Sequence, residues 1–371
     1  MASDSLRAVL RSLVDAGTIP GAVGLVADRK GLLAVEAAGY ADLAARTPMR
    51  DDAFFWIASM TKPMAAAAFM ALVDEGRASL DDAVAKFIPG FADLRVLRAD
   101  GSLTPPRRPI VLRDLLSHTS GLRFLNTKDR NIIDSVPLAV SVEHDLLEPL
   151  LHDPGAAYLY SNEGIDTAGC VVEILSGTSF EGFLQERFFD PLGMRDTTFF
   201  PNAEQLSRLA KTYKPGPEGK GLVEMDPIPY LTQPLDAPHR YAAPGGGLFA
   251  SGRDCVRFCQ MLLGGGTFEG RRYLSPAAVA AMTTKQTGPE VETQYGLGLS
   301  TSPDGKTYGH SGALKTNMTV DHEQIRVLLL QLAEADGAPI QSAFEGVCRR
   351  AYPGAGQAAV GIEGSASSSP R

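Results

Sequence analysis

Phe55-Trp56-Ile57-Ala58-Ser59-Met60-Thr61-Lys62-Pro63, continuing as Met64-Ala65-Ala66-Ala67-Ala68-Phe69-Met70-Ala71-Leu72, is the stretch around which the rest of the chain reads. Residues 64–72 are apolar at every position, rich in helix formers and too few to span a bilayer. A helix that is apolar all round belongs in a core. Pro63 has no N–H and is tolerated only near a first turn, so the helix begins close to Ser59. Asp74, Glu75 and Gly76 end it, with Gly76 a natural C′ residue. A serine therefore sits at the start of a buried helix, where backbone N–H groups and the positive dipole end favour developing negative charge.

Lys62, three residues on, shares a helix face with Ser59. A lysine against a buried surface gives up its proton more readily than in water, and beside a serine the free amine can make a nucleophile of the hydroxyl. Read in isolation, the pair is equally an N-cap serine and a lysine snorkelling to the surface. The remainder of the sequence has to decide.

The chain has 371 residues, 44% hydrophobic and 21% charged, and a net charge of −8. That is enough chain for one large domain or two packed lobes. An acidic balance without a long basic run argues against a nucleic-acid partner. No stretch reaches transmembrane length. Residues 1–14, with Asp4, Arg7 and Arg11 spaced through them, read as an amphipathic helix and not as a signal peptide, so no membrane partner and a cytoplasmic location are expected, or a periplasmic or secreted one if a leader was removed. Cys170, Cys255, Cys259 and Cys348 are scattered without a CxxC pair or nearby ligands. They read as buried free thiols, with no metal.

Residues 22–27 and 32–37 are apolar runs joined by Asp28-Arg29-Lys30-Gly31, a hairpin signal. Helices are expected at 63–75, 112–116, 145–151, 165–176 and 179–188. Between residues 201 and 244 the chain carries Pro201, Pro215, Pro217, Pro227, Pro229, Pro234, Pro238 and Pro244, so regular structure there is sparse and the segment reads as a functional wall. Helices follow at 251–263 and 276–282, strands at 296–300, 306–310, 316–321 and 325–332, and a closing helix at 340–352. The tail from 353 to 371 is rich in Gly, Ala and Ser and is expected to be flexible. Strands at both ends with helices between predict an α/β (α+β) fold. In it an antiparallel sheet is flanked by terminal helices, with a mainly helical lobe inserted. The catalytic domain is expected over 1–352, its sheet lobe from about 1–55 and 245–352, its helical lobe and loops from about 56–244. The serine helix would lie at the seam.

Two further clusters carry chemistry. Tyr160-Ser161-Asn162 stands on a loop just before the helix at 165, with Tyr160 and Asn162 two apart and able to face the same way. A phenol acidified by a nearby lysine can serve as a general base, and an amide can orient the lysine or a substrate carbonyl. Alone, this reads first as a turn aromatic with an Asx cap. Tyr308-Gly309-His310-Ser311-Gly312-Ala313 lies on a closing strand, where glycines suit close approach of a substrate backbone.

The order Ser59-x-x-Lys62, Tyr160-x-Asn162, His310-Ser311-Gly312, on a helix start, a loop and a closing strand, resembles the serine β-lactamase and DD-peptidase superfamily. More closely it is similar to the class C branch, which includes DD-peptidases and esterases. The resemblance runs from about residue 6 to 352. It extends to Leu115-Leu116-Ser117-His118-Thr119-Ser120-Gly121-Leu122, Pro191-Leu192-Gly193-Met194 and Gly245-Gly246-Gly247-Leu248. It implies a β-lactamase/transpeptidase-like fold, Ser59 as the acyl-accepting nucleophile, Lys62 as its proton partner, and Tyr160 as general base and later acid. It further implies backbone N–H groups of Ser59 and Ala313 as an oxyanion hole, and Asn162, His310, Ser311 and Gly312 around the substrate. Which of Lys62 and Tyr160 takes the first proton stays open.

The departure lies at His310, where class C β-lactamases carry the lysine of Lys-Thr-Gly. A histidine removes a permanent positive charge for a β-lactam carboxylate. The expected activity is therefore a serine hydrolase, foremost a carboxylesterase on small acyl esters, with no cofactor. A D-amino acid peptidase or amidase, or a weak β-lactamase, is the alternative. The partner is a small ester or amide, and the oligomeric state is open. An α/β-hydrolase elbow fails at the last position of Gly309-His310-Ser311-Gly312-Ala313, and no P-loop, dinucleotide fingerprint or HExxH is present. A non-enzymatic scaffold would have no reason to keep Ser59, Lys62 and Tyr160 together.

Overall fold

The computed structural model describes residues 2–128 and 132–353, so the tail expected to be flexible lies, Pro353 apart, outside the described residues. The N-terminal hairpin is Gly21–Ala27 with Leu32–Asp42, Val23 facing Ala37. The free edge of Gly21–Ala27 takes Ile325–Leu329 antiparallel, Leu25 opposite Val327. The two ends of the chain thereby share a seven-stranded sheet. Its order is Ser300–Thr301, Tyr308–Ser311, Asn317–Val320, Ile325–Leu329, Gly21–Ala27, Leu32–Asp42, Thr47–Pro48, and every pair is antiparallel.

The two central strands are buried at every position because both faces of the sheet are covered. On one face the terminal helices Ala2–Asp15 and Ala338–Ala351 lay Leu6, Leu10, Phe344 and Val347 against Ala22, Val26 and Leu328. On the other, Gly252–Leu263 packs on Leu25, Val327 and Leu329 in a core continuous with the helix after Ser59.

That helix is Thr61–Asp74, entered through a 3-10 turn at Ala58–Met60, and it is buried from Thr61 to Leu72. Truncating one of its large side chains, such as fully buried Phe69, costs about 3–5 kcal/mol. Gly76, at φ 71°, closes it as the sequence implied. Thr61 Oγ1 donates to Ala58 O at 2.6 Å and accepts the Leu248 N–H at 3.1 Å. A small sheet of Phe54–Trp56, Phe249–Ser251 and Thr197–Thr198 completes the link. The residues before Ser59 and those around Gly245 are thus held side by side.

Most helices fall where expected: Leu112–Leu116, Asn162–Ser176, Gly252–Leu263 and Pro276–Thr283. The one expected at 145–151 does not form. A helix occupies Leu138–Asp145 instead, because Pro149 blocks continuation and Leu150 bridges Val96. The strand expected at 296–300 shrinks to Ser300–Thr301. Gly298, at φ 68°, turns the chain there and donates its N–H to Leu116 O at 2.9 Å. A Cβ at Gly298 would stand 2.7 Å from Lys62 O, so glycine is what lets this turn lie on the serine helix.

The proline-rich segment holds one short ladder, Thr212–Pro215 with Leu222–Met225, and a one-turn helix at Ala203–Ser207. Its later part is anchored by buried Asp134, which takes Arg240 Nε at 2.8 Å and the Thr232 N–H at 2.7 Å. All four cysteines are buried and free.

Candidate active site

Lys62 is completely buried, and its amine has three neighbours. Nζ lies 3.1 Å from Ser59 Oγ and 2.6 Å from Asn162 Oδ1, and it also hydrogen-bonds the Gly245 carbonyl oxygen. The amide oxygen and the carbonyl can only accept, so each requires an N–H from Lys62. A neutral amine has two such hydrogens, and its lone pair is then left pointing at Ser59 Oγ. Burial lowers the lysine pKa to about 7, with the charge of Asp166 working in the opposite direction. Ser59 itself follows Ala58, whose φ of 47° is strained for a residue with a Cβ.

Tyr160 reaches the same place from the loop ahead of Asn162–Ser176. Ser161 Oγ caps that helix by accepting the Gly164 N–H at 2.9 Å, and Asn162 N–H is tied to Phe124 O at 3.1 Å. The Tyr160 ring centroid stands 4.7 Å from Lys62 Nζ, and the exposed Phe124 ring stacks on it at 5.9 Å. The expectation of an acidified phenol is reversed. Burial pushes the Tyr160 pKa up, only partly offset by a hydrogen bond with Ser59, so the phenol keeps its proton.

The His310-Ser311-Gly312-Ala313 strand arrives from the sheet, and its side chains divide. Ala313 lines the cavity that contains Ser59. His310 has both ring nitrogens engaged inside the protein, Nδ1 with Ser311 O at 2.8 Å and Nε2 with Tyr295 Oη at 3.0 Å. Ser311 Oγ accepts from Asn317 Nδ2 at 2.8 Å, and the residue lines a neighbouring depression together with Asn317, Thr319 and Glu345. The glycines make room for protein backbone: a Cβ at Gly312 would lie 2.5 Å from Ile57 O, and one at Gly309 would meet Met318 O.

The cavity at Ser59 measures about 90 Å³, with walls from Trp56, Phe124, Leu125, Ile133 and Tyr230 and a floor at Gly245 and Gly246. Trp56 Nε1 donates to Gly246 O at 2.8 Å and fixes that floor. Tyr230 thus contributes to the wall; Tyr241, the other exposed tyrosine of the proline-rich segment, is not among the lining residues. Three residues next to the site went unassigned on sequence. Asp166 accepts the Gly245 N–H at 2.7 Å, while the His118 ring packs against Tyr160 and the Tyr295 ring packs against His118. His118 stood inside the quoted 115–122 stretch. Tyr295 stands just before the strand expected at 296–300, with Gly296 and Gly298 after it as the available signal.

The antiparallel sheet, the inserted helices and a serine and lysine paired at a buried helix start define a serine β-lactamase/transpeptidase-like protein. The chain belongs to the Beta-lactamase family, whose model matches residues 6–342. Protein Rv1367c of Mycobacterium tuberculosis is 36% identical over 306 residues, covering 80% of this chain and 75% of that one. Lovastatin esterase of Penicillium rubens is 30% identical over 331 residues, 82% of this chain and 81% of that one. Among solved structures, EstCE1, a hydrolase with promiscuous acyltransferase activity, superposes with a TM-score of 0.76 at 25% identity, covering 93% of this chain and 98% of its own. The family is one of serine hydrolases with esterase members. Among the described residues no helix is long and apolar enough to cross a membrane.

Proposed function

We propose that this protein is a serine hydrolase that works through an acyl-enzyme on Ser59, and that its substrates are small carboxylic esters. The observation that carries the reading is the pairing of Ser59 Oγ with Lys62 Nζ at 3.1 Å, where two obligate acceptors turn the free lone pair toward the hydroxyl. Neutral Lys62 takes the Ser59 proton as Oγ attacks the acyl carbon. The N–H groups of Ser59 and Ala313, residues that line one cavity, receive the oxyanion. Tyr160, protonated, gives its proton to the departing alkoxide and recovers one from the Lys62 ammonium. Water then attacks the acyl-enzyme, and the same groups return the proton to Ser59.

The apolar wall of Trp56, Phe124, Ile133 and Tyr230 supports an uncharged acyl group, and the neighbouring esterases support ester chemistry. Asn162 acts by orienting Lys62. His310, with no free ring nitrogen, shapes the site without holding a substrate carboxylate. The test is covalent labelling with a fluorophosphonate and turnover of p-nitrophenyl acetate and butyrate by wild type and Ser59→Ala. Labelling at another residue, or equal turnover by a folded Ser59→Ala protein, would sink the proposal.

A further inference from the structure

We infer that Tyr295 is the positioning residue of the Ser59 site. Its hydroxyl joins His118 and His310 into one directed hydrogen-bond chain that locks the Tyr160 loop to the strand carrying Ala313. The consequence for catalysis rests on the acyl-enzyme reading above; the geometry of the chain does not.

Its direction follows from counting donors and acceptors. His118 Nδ1 takes the Ser161 backbone N–H at 3.2 Å, so that nitrogen carries no proton. Neutral His118 is then protonated on Nε2, which lies 3.2 Å from Tyr295 Oη. At the other end, His310 Nδ1 faces the Ser311 carbonyl oxygen, which can only accept, so this nitrogen bears the proton. The bare Nε2 of His310 stands 3.0 Å from the same Tyr295 Oη. Tyr295 has one proton to give. It must donate to His310 while accepting from His118.

The chain therefore runs from Ser161 N–H through His118, Tyr295 and His310 to Ser311 C=O, with every group satisfied. Protonating either imidazole breaks it. A charged His118 would set an N–H against the Ser161 N–H, and a charged His310 would set one against the Tyr295 hydroxyl proton. The surroundings push the same way. Burial and the positive end of Lys62 lower both histidine pKa values, while Tyr158 and Tyr160, the other titratable groups packed here, stay protonated through burial.

Position makes the chain matter. Tyr295 is 2% exposed and precedes the Gly298 turn that lies on the Lys62 helix, so its hydroxyl is held inside the protein between the two imidazoles. The Tyr160 ring packs 4.5 Å from His118 and 6.1 Å from His310, centroid to centroid. The two imidazoles are the seat of the phenol that faces Ser59. His118 holds a φ of 60°, unusual for a residue with a Cβ, and its carbonyl takes the Leu159 N–H at 2.8 Å.

The test uses the full chain with Tyr295→Phe, which keeps the ring and removes the hydroxyl. Nitrogen-15 NMR of wild type should show His118 as the Nε2–H tautomer and His310 as the Nδ1–H tautomer, both neutral from pH 5 to 9. Any other assignment overturns the chain, whether or not the variant folds. In Tyr295→Phe the Nε2 resonances of both histidines should move, and kcat/KM for an alkyl butyrate, whose leaving group needs the Tyr160 proton, should fall about tenfold with both hydrogen bonds of the hydroxyl gone. In a Tyr160→Phe background the same change should lower kcat/KM far less, because Tyr295 acts through Tyr160. Unaltered alkyl butyrate turnover, or a full tenfold effect in both backgrounds, removes the positioning role. If wild type shows the assigned tautomers but Ser59 never labels, the acyl-enzyme reading fails and the hydrogen-bond chain stands.

Discussion

Lys62 and Asp166 meet on the two polar ends of one residue: Gly245 gives its N–H to Asp166 Oδ1 at 2.7 Å and receives the Lys62 amine on its carbonyl oxygen. Asp166 thus fixes the loop that orients the amine and supplies the negative charge that favours its ammonium form. The other titratable groups facing Lys62 are neutral His118 and His310 and protonated Tyr160.

A pH dependence follows. Acylation needs Lys62 without its proton, so kcat/KM should rise with pH and level off above about 7. Asp166→Asn keeps an acceptor for Gly245 and removes the charge. The lysine then loses its proton more easily, and the limb should move to lower pH by about one unit. The measurement is kcat/KM for p-nitrophenyl butyrate between pH 5 and 9. A limb that stays in place would confine Asp166 to anchoring the loop.

Ser59→Ala should separate chemistry from stability. Neither the 3-10 turn nor the following helix uses the serine side chain as a cap. Its loss should cost less than about 1 kcal/mol, moving Tm by no more than a few degrees. Turnover should fall by about 10³-fold or more. Thermal melts alongside ester hydrolysis decide the point, and a variant that melts far below wild type would give Ser59 a structural task.

Tyr160→Phe tests which group serves as acid. A phenol whose pKa is raised by burial is a proton donor, so its removal should depend on the leaving group. Alkyl butyrates should lose about 10²-fold in kcat/KM, while the p-nitrophenyl ester, whose leaving group departs without a proton, should lose much less. Equal losses on both substrates would return Tyr160 to the role of first proton acceptor.

The Ser59 helix, the hairpin, the closing strands and the three motif clusters of the candidate site were legible in the sequence because each is local: an apolar run, a turn, a motif. What it could not carry was relation across the chain. Gly245 and Asp166 are 79 positions apart, and His118 and Tyr295 177, and only packing makes them partners. The position of the Leu138–Asp145 helix is poorly marked in the sequence because apolar spacing continues past Asp145 and only Pro149 marks the stop. The glycines of the closing strand read as room for substrate, whereas Gly312 makes room for Ile57 O. Tyr160 was expected to be acidified by a lysine, yet desolvation, which no motif displays, prevails.

Acyl preference should lie in the wall opposite Ser59. Ile133 and Tyr230 line the cavity and are held together by the Ile133 N–H on Tyr230 O at 2.9 Å. Ile133→Ala enlarges the space, and its kcat/KM optimum should shift to longer p-nitrophenyl esters. Tyr230→Ala should do likewise with little change in Tm, since the ring is 41% exposed. Tyr241→Ala, outside the wall, is the control. A chain-length profile unmoved by Ile133→Ala and Tyr230→Ala would place specificity elsewhere.

The choice between esters and β-lactams turns on His310. A β-lactam carboxylate calls for a positive charge on the closing strand, and His310 is held neutral there, its pKa pushed down to about 3 by burial and by Lys62. Wild type should therefore hydrolyse p-nitrophenyl acetate and butyrate with higher kcat/KM than nitrocefin. From pH 5 to 8 His310 stays neutral, and the Lys62 limb is common to both substrates, so the ratio should stay constant. His310→Lys would set a second amine near Lys62 and remove the acceptor for Tyr295, so it should lose ester turnover without becoming an efficient β-lactamase. A ratio that falls toward pH 5 would show a titrating His310, and nitrocefin turning over faster than either ester would sink the esterase reading.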